Sequence, residues 1–320
     1  MTEPATRIGG PFPIKVEDIA PLNELFSEAF SERYRRDGMS GVRVPPLNPA
    51  IWRFALESAG EGAMLWRDGA GALAAFNLAH ASGREGWMGP LAVRDDLQGR
   101  GLGATIVRAG IEHLRRVGCT TIGLETMPRT MDNIGFYAGL GFLPAPLTIT
   151  VTMDGTGGAA PPELLGRLGA GDRERSMNEM RALTERARPG ADYTREVAVS
   201  LHHAIGDVVL HRDADRRLRG FALYHDVPLV EGRSREELRV LKLVAASPDD
   251  LMALVDLVRV QARRSGALRA AFRVQGEFSS AFRVLVAHGA RVRWTDLRMT
   301  LTGAGEASGG EGIALSNWEI

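Results

Sequence analysis

The sequence LAVRDDLQGRGLGATIVRAGIEHLRR, residues 91–116, sets Gly99, Gly101 and Gly103 at alternate positions, with Gln98 before them and Arg100 among them. An apolar strand ending at Val93, then a glycine loop, then an amphipathic helix gathers free backbone N–H groups at the positive end of a helix dipole. That arrangement is an anion cradle. Glycine suits it because a side chain would block the anion and because some of these positions call for positive φ. Hydrogen bonds to a charged group contribute about 1.5–3 kcal/mol each against about 0.3–1 kcal/mol for the dipole, so several amides do most of the holding and Arg100 adds a mobile charge. The glycines alone fit equally well a tight, packed strand-to-helix turn. A nucleoside-triphosphate loop needs lysine and then serine or threonine after its last glycine, where Leu102, Gly103 and Ala104 stand. The dinucleotide fingerprint survives only in relaxed form, with Ala104 in place of its third glycine.

The elements that would carry this loop follow from periodicity. Residues 16–38 place Ile19, Leu22, Leu25, Phe26, Ala29 and Phe30 at helical spacing, and residues 48–60 read as a second helix. A hairpin turning at Asp68 and Gly69 and a third strand, GWMGPLAV, lead into the loop. After the helix ended by Gly118 come a strand TTIGLETM, a short helix MDNIGFYAGLG and a strand LTITVTM. Residues 154–162, DGTGGAAPP, have linker composition. Beyond them a helical stretch over 162–190, a hairpin, the strand ELRVLKLVA, a helix with a serine cap at Ser247, and strand, helix, strand repeat the order. The reading is α+β: two copies of a mixed, mostly antiparallel sheet flanked by helices, over 1–153 and 163–302. Residues 303–320 read as a flexible tail that is anchored again by Leu315 and Trp318.

Composition narrows the class. The 320 residues carry 39 lysines plus arginines and 39 acidic residues, so no global field favours nucleic acid or an anionic membrane. No apolar run approaches the roughly 20 residues that span a bilayer, and the first residues lack the pattern of an export signal, so a cytoplasmic location is expected. One cysteine, Cys119, excludes a disulfide framework and reads as a small buried thiol rather than a nucleophile. His202 and His203, adjacent in sequence, cannot share a helical face, and no metal site is expected.

LAVRDDLQGRGLG closely resembles the acyl-CoA-binding motif of the GNAT superfamily of N-acyltransferases, Q/R-x-x-G-x-G/A, with Gln98, Gly101 and Gly103 at its defining positions. NIGFYAGLGF, residues 133–142, resembles the family's helix ending in FY…GF, with Phe136, Tyr137, Gly141 and Phe142 in register. The asparagine often found seven residues before the tyrosine is Thr130 here, and Asn133 is the substitute. The resemblance implies that Leu91, Ala92 and Val93 line the pantetheine arm of acetyl-CoA. Gln98, Gly99, Arg100, Gly101, Leu102, Gly103, Ala104 and Thr105 would wrap its pyrophosphate. It also implies a backbone N–H near Val93 as oxyanion donor and Tyr137 as the general acid toward the leaving thiolate.

An alkylamine of pKa about 10.4 is unprotonated in only about one molecule in 2,500 at pH 7, so a base or a water relay helps such an acceptor. Glu125, in the strand TIGLETM, and His80, near the end of FNLAHA, are the candidate bases, each weighed against a purely structural role; no carboxylate lies in GWMGPLAV. The expected activity is N-acetyl transfer from acetyl-CoA to a primary amine, and the competing class is a non-catalytic acyl-CoA sensor. The partners are acyl-CoA and an amine, with a homodimer compatible. In the second copy Asp250, Ala253 and Val255 fall where Gln98, Gly101 and Gly103 stand, and Leu285 where Tyr137 stands. A degenerate copy without its own acyl-CoA site is therefore expected, unless Arg259, Arg263 and Arg264 bind the nucleotide by another route. It would supply packing and a wall of the acceptor site, while residues 26–54 cover that side.

Overall fold

The computed structural model describes residues 7–158, 160–306 and 310–319. In its first half the order is β1 (Gly9–Pro13), α1 (Ile19–Arg36), α2 (Pro49–Ala59), β2 (Ala63–Arg67), β3 (Leu73–Ser82), β4 (Glu85–Val93), α3 (Leu102–Arg116), β5 (Thr121–Thr126), α4 (Met131–Gly139) and β6 (Phe142–Asp154). The second half runs β7 (Glu163–Leu164), α5 (Ala170–Ala187), α6 (Thr194–His202), β8 (Gly206–Arg212), β9 (Leu218–His225), β10 (Glu237–Ala245), α7 (Pro248–Arg264), β11 (Arg269–Gln275), α8 (Ser279–Ala287), β12 (Arg291–Leu301) and β13 (Ile313–Ser316). Only β4 with β5 and β10 with β11 run parallel among the paired strands; the rest are antiparallel. This is the mixed, mostly antiparallel sheet flanked by helices that the periodicity indicates. The helical stretch expected over 162–190 begins instead as a two-residue strand, and α5 starts only after Gly169. Sequence reading also passed over α6.

The two halves do not close separate sheets. The strand order is β1-β2-β3-β4-β5-β12-β6-β11-β10-β9-β8-β7, so β12 of the second half lies between β5 and β6 of the first, and β6 lies between β12 and β11. Each half lends a strand to the other. The contact is sealed by charge as well as by the ladder. Arg298 on β12, 1% exposed, donates from Nε to Glu125 Oε1 at 3.0 Å, and its Nη1 donates to Glu306 at 3.0 Å. Arg273 on β11 donates from Nη2 to Glu125 Oε2 at 2.7 Å and to Asp296 of β12 at 2.9 Å.

The segment read as a flexible tail is tied down where it is described. The Ala304 carbonyl accepts from Ile122 N at 2.9 Å, the Gly305 carbonyl accepts from Thr121 Oγ1 at 3.1 Å, and Glu306 pairs with Arg188 and Arg298. Residues 307–309 lie outside the described residues. Beyond them β13 pairs with β10, and Trp318, buried, donates from Nε1 to Glu85 Oε1 at 2.9 Å.

Removing one partner of a buried, multiply bonded ion pair typically costs about 3–5 kcal/mol, because the other charge is left desolvated. Arg298→Met takes one of two arginines from each of Glu125 and Glu306, leaving Arg273 and Arg188 in place, and urea denaturation is expected to show a loss at the lower end of that range, about 3 kcal/mol. A loss under about 1 kcal/mol would mean that the arginine does not hold the exchanged strand.

Candidate active site

The parallel pairing of β4 and β5 runs from Glu85↔Thr121 to Met88↔Leu124 and then ends, while β4 stays on β3 through Leu91↔Asn77, Ala92↔Phe76 and Val93↔Ala75. The strands splay into a wedge. Residues Leu91, Ala92 and Val93 thereby present one backbone edge to a cavity of about 550 Å³ rather than to a neighbouring strand. Met88 and Leu124 stand at its apex, Tyr137 and Asn133 of α4 line one side, and Phe30, Tyr34 and Arg36 of α1 line the other. Helix α1 is held there by Asp37, which accepts from Arg33 Nη2 at 2.7 Å and from Thr130 Oγ1 at 2.6 Å. Thr130 thus serves α1 and not the cavity.

At the mouth of the wedge lies the glycine loop. Gly99 has φ +74° and Gly101 φ +84°, a conformation that disfavours any residue with a Cβ, and a Cβ built on either meets nothing within 4 Å. The space beside both is open. Gly103 is different: it is in the first turn of α3, where a Cβ would come within 3.2 Å of the Phe136 ring. The hydrogen bond from Thr105 N to Gly101 O, at 3.2 Å, starts the α3 ladder, so the amides of Leu102, Gly103 and Ala104 precede it and point out of the helix end. Gln98 caps the strand, donating from Nε2 to Val93 O at 3.0 Å and accepting from Arg36 Nη1 at 3.0 Å.

Of the residues singled out from sequence, Leu91, Ala92, Val93, Gln98, Gly99, Gly101, Gly103, Ala104, Glu125, Asn133 and Tyr137 line this one cavity. Arg100, Leu102 and Thr105 do not. Arg100 is exposed beside the loop, Leu102 is buried in the apolar core with Ile106 and Leu114, and the Thr105 hydroxyl bonds back to Gly101 O at 3.3 Å. The cationic side chain at the loop is Arg36, from a helix 62 residues earlier in the chain, which also pairs with Glu32 and Asp95. Nothing local in the sequence marks it.

The two candidate bases fare poorly. Glu125 is 1% exposed, and both its oxygens are taken: Oε1 by Thr148 and Arg298, Oε2 by Arg273. Burial alone would raise its pKa, but the two guanidiniums outweigh it and hold the carboxyl below its ordinary value. It is a poor proton acceptor. His80 does not line the cavity; its ring is buried, stacked on Trp87 at 4.0 Å, and burial together with the charge of Lys242 pushes it down to about 3. The Tyr137 phenol is pushed up by burial and so keeps its proton throughout the neutral range. Cys119 is buried, with its thiol pushed up to about 11 by burial and by Glu85.

Missed from sequence were Trp294 and Asp296 of β12 and Glu319 beyond β13, all lining the cavity from the second half. The alternation of Trp294, Asp296 and Arg298 along one strand, with polar groups where a core face is expected, was the available signal. His202 and His203 meet a carboxylate at the surface. Helix α6 ends at His202, so His203 leaves the helix and the two, with Glu57, bring ligand atoms within 4.8 Å of one another at the surface.

In the second half the corresponding wedge is filled. Strands β10 and β11 pair from Glu237↔Arg269 to Arg239↔Ala271, and then β13 takes the freed edge of β10, from Lys242↔Ser316 to Ala245↔Ile313. Gln275 of β11 bonds Ser316 from the other side, at 3.1 and 3.3 Å. The start of α7 is closed as well: Ser247 caps Asp250 N at 3.2 Å, and the Asp250 carboxylate accepts from Arg219 at 2.9 Å.

Residues 21–142 match the family model described as Acetyltransferase (GNAT) family. They form a GNAT domain. The complete fold is similar to that of a candidate acetyltransferase from Pyrococcus horikoshii, at TM-score 0.68 and 15% identity over 99% of this chain and 96% of that one. It is also similar to a tandem GNAT protein from the clavulanic acid biosynthesis pathway (TM-score 0.58, 14% identity, 94% and 100% covered). A third likeness is to Saccharomyces cerevisiae N-myristoyltransferase with bound myristoyl-CoA (0.62, 11%, 93% and 82%). No curated protein sequence matches the chain. No helix among the described residues is long and apolar enough to cross a membrane.

The buried His80 has a measurable consequence. Its folded pKa of about 3 lies below the unfolded value, so the unfolded chain binds the extra proton and stability falls as pH drops below about 6.5. His80→Phe keeps the stack on Trp87 and removes the titration. Between pH 7 and pH 4 the variant should gain about 3 kcal/mol on the wild type in urea denaturation. Parallel pH dependences would show that the imidazole is protonated in place.

Proposed function

We propose that this protein transfers an acetyl group from acetyl-CoA to a primary amine, using the open wedge of the first half alone. The observation that carries the reading is the splay of β4 from β5 next to a glycine loop with open space beside Gly99 and Gly101. The amides from Gly99 to Ala104, with Arg36 beside them, hold the pyrophosphate. The free edge of Leu91, Ala92 and Val93 pairs with the amides of pantetheine, which runs down to the apex at Met88 and Leu124. A backbone N–H on this edge faces the thioester oxygen as it becomes an oxyanion.

Tyr137 sits on the α4 side of the wedge with its proton in place. A thiol has a pKa near 8.5 and a phenol one near 10, so full transfer from the phenol to the thiolate is uphill. Tyr137 therefore stabilises the departing sulfur as a hydrogen-bond donor while the C–S bond breaks, and solvent completes the protonation. The second half binds no acyl-CoA, because β13 occupies its wedge and Asp250 places a negative charge at the helix end.

Release of CoA thiol with a panel of polyamines, amino acids, aminoglycosides and peptides tests the reading. Tight acetyl-CoA binding with no release on that panel would favour a sensor. Calorimetry on the full chain should give one acetyl-CoA per chain. Gly101→Asp should abolish that binding with an unchanged circular dichroism spectrum, since a carboxylate then stands at the phosphate position; two equivalent sites, or normal affinity in the variant, would contradict the assignment. Tyr137→Phe should lower kcat by roughly 10²-fold or more while leaving acetyl-CoA affinity nearly unchanged. Equal turnover with chemistry rate-limiting would reduce the tyrosine to packing.

A further inference from the structure

Four carboxylates line the cavity: Glu32 on α1, which is paired with Arg35 and Arg36, and three from distant parts of the chain that Arg273 gathers, Glu125 on β5, Asp296 on β12 and Glu319 beyond β13. Their exposures separate their roles. The side chains of Glu125 and Asp296 are 1% and 4% exposed and that of Glu319 is 48% exposed. Asp296 is committed on both oxygens, accepting from Trp294 Nε1 at 3.1 Å and from Arg273 Nη2 at 2.9 Å. Glu319 has one oxygen on Arg273 Nη1 at 2.7 Å, and its open surface belongs to the cavity.

We infer that Glu319 is the general base of the reaction, delivered by the segment that plugs the wedge of the second half and acting on an alkylammonium acceptor. This rests on the acyl-transfer reading above. One stretch of chain does two things. Residues Ile313–Ser316 fill the β10 edge, and Trp318 packs against Gly123 of β5, where a Cβ would come within 2.2 Å of the indole. The next residue is thereby placed in the cavity of the first half. Trp294 and Tyr34, which also line it, give the site aromatic walls suited to a cation.

The proton balance is simple. The ammonium group gives its proton to the Glu319 carboxylate, and the neutral nitrogen attacks the thioester carbonyl. A C–N bond forms, the C–S bond breaks, the second amine proton is lost to solvent, and Glu319 returns its proton to water. The charged neighbours set its affinity. Its place inside the cavity, away from bulk water, raises the pKa of Glu319, Arg273 on β11 lowers it, Asp296 and Glu125 raise it, and Arg239 on β10 lowers it, leaving it at about 7; Tyr34 of α1 also faces it. A carboxylate so poised takes a proton from an alkylammonium far more readily than one near pH 4 would.

Two acceptors test this on the full chain with acetyl-CoA: 2-phenylethylamine, protonated at neutral pH, and hydroxylamine, already a free base there. Glu319→Gln should lower kcat for 2-phenylethylamine by about 10²-fold and leave hydroxylamine transfer within about threefold. The rising limb of the wild-type kcat/KM profile for 2-phenylethylamine, near pH 7, should disappear in the variant. Glu319→Asp should recover part of the rate. Equal losses with both acceptors, or an unchanged profile, would overturn the base and leave acyl transfer standing. Failure of the wild type with both acceptors and with every amine of the panel above would overturn the acyl-transfer reading and this assignment together.

Discussion

The insertion of β12 between β5 and β6 is the constraint on which the rest of the molecule depends. It makes one sheet of what the sequence writes as two units, and it brings the arginines of the second half against the carboxylates of the first. Buried charges are costly unless each is paired and hydrogen-bonded. Here the pairing is distributed: Glu125 answers Arg273 and Arg298, Glu306 answers Arg298 and Arg188, and Glu85 answers Arg188 while accepting from Trp318. Removing any one member exposes the others to the desolvation that the network offsets.

The same backbone device has two outcomes in the two halves. A parallel pair that separates after three or four residues leaves hydrogen-bonding groups on the strand edge, and such an edge must find a partner. In β4 the edge faces a cavity beside a glycine loop; in β10 the partner is β13. The contrast follows from side chains at the helix that follows. Glycines at 99 and 101 take positive φ and leave room, whereas Ser247 and Asp250 spend their hydrogen bonds closing the end of α7.

What was legible in the sequence was what is local. The glycine loop, the helix after it, the FY…GF turn and the repeated order of elements all lie within a few tens of residues, and their spacing reports backbone geometry directly. The strand exchange was not legible, because β-pairing between residues 126 and 297 leaves no periodic trace in either strand. The same distance explains the misjudged carboxylate. Glu125 on a strand looks free to act, and only the fold supplies Arg273 and Arg298, 148 and 173 residues later, to occupy it. Arg36, Trp294 and Glu319 escaped notice for the same reason: each reaches the cavity from an element whose local pattern says helix, strand or tail. His80 misled differently, since a histidine at the end of an alternating strand does not reveal that both faces are covered.

The position of β12 also orders events during synthesis. Thr126 leaves the ribosome well before its partner Leu297, and at about 5–20 residues per second the interval is roughly ten to thirty seconds. Throughout that time β5 is the open edge of a nascent sheet, the kind of surface on which other chains nucleate aggregates. A charge on such an edge discourages foreign strands, and Glu125, next to the end of β5, supplies one. The carboxylate that ends as a buried partner of two arginines thus stands as an uncompensated charge on an open edge until the strand carrying Arg298 arrives.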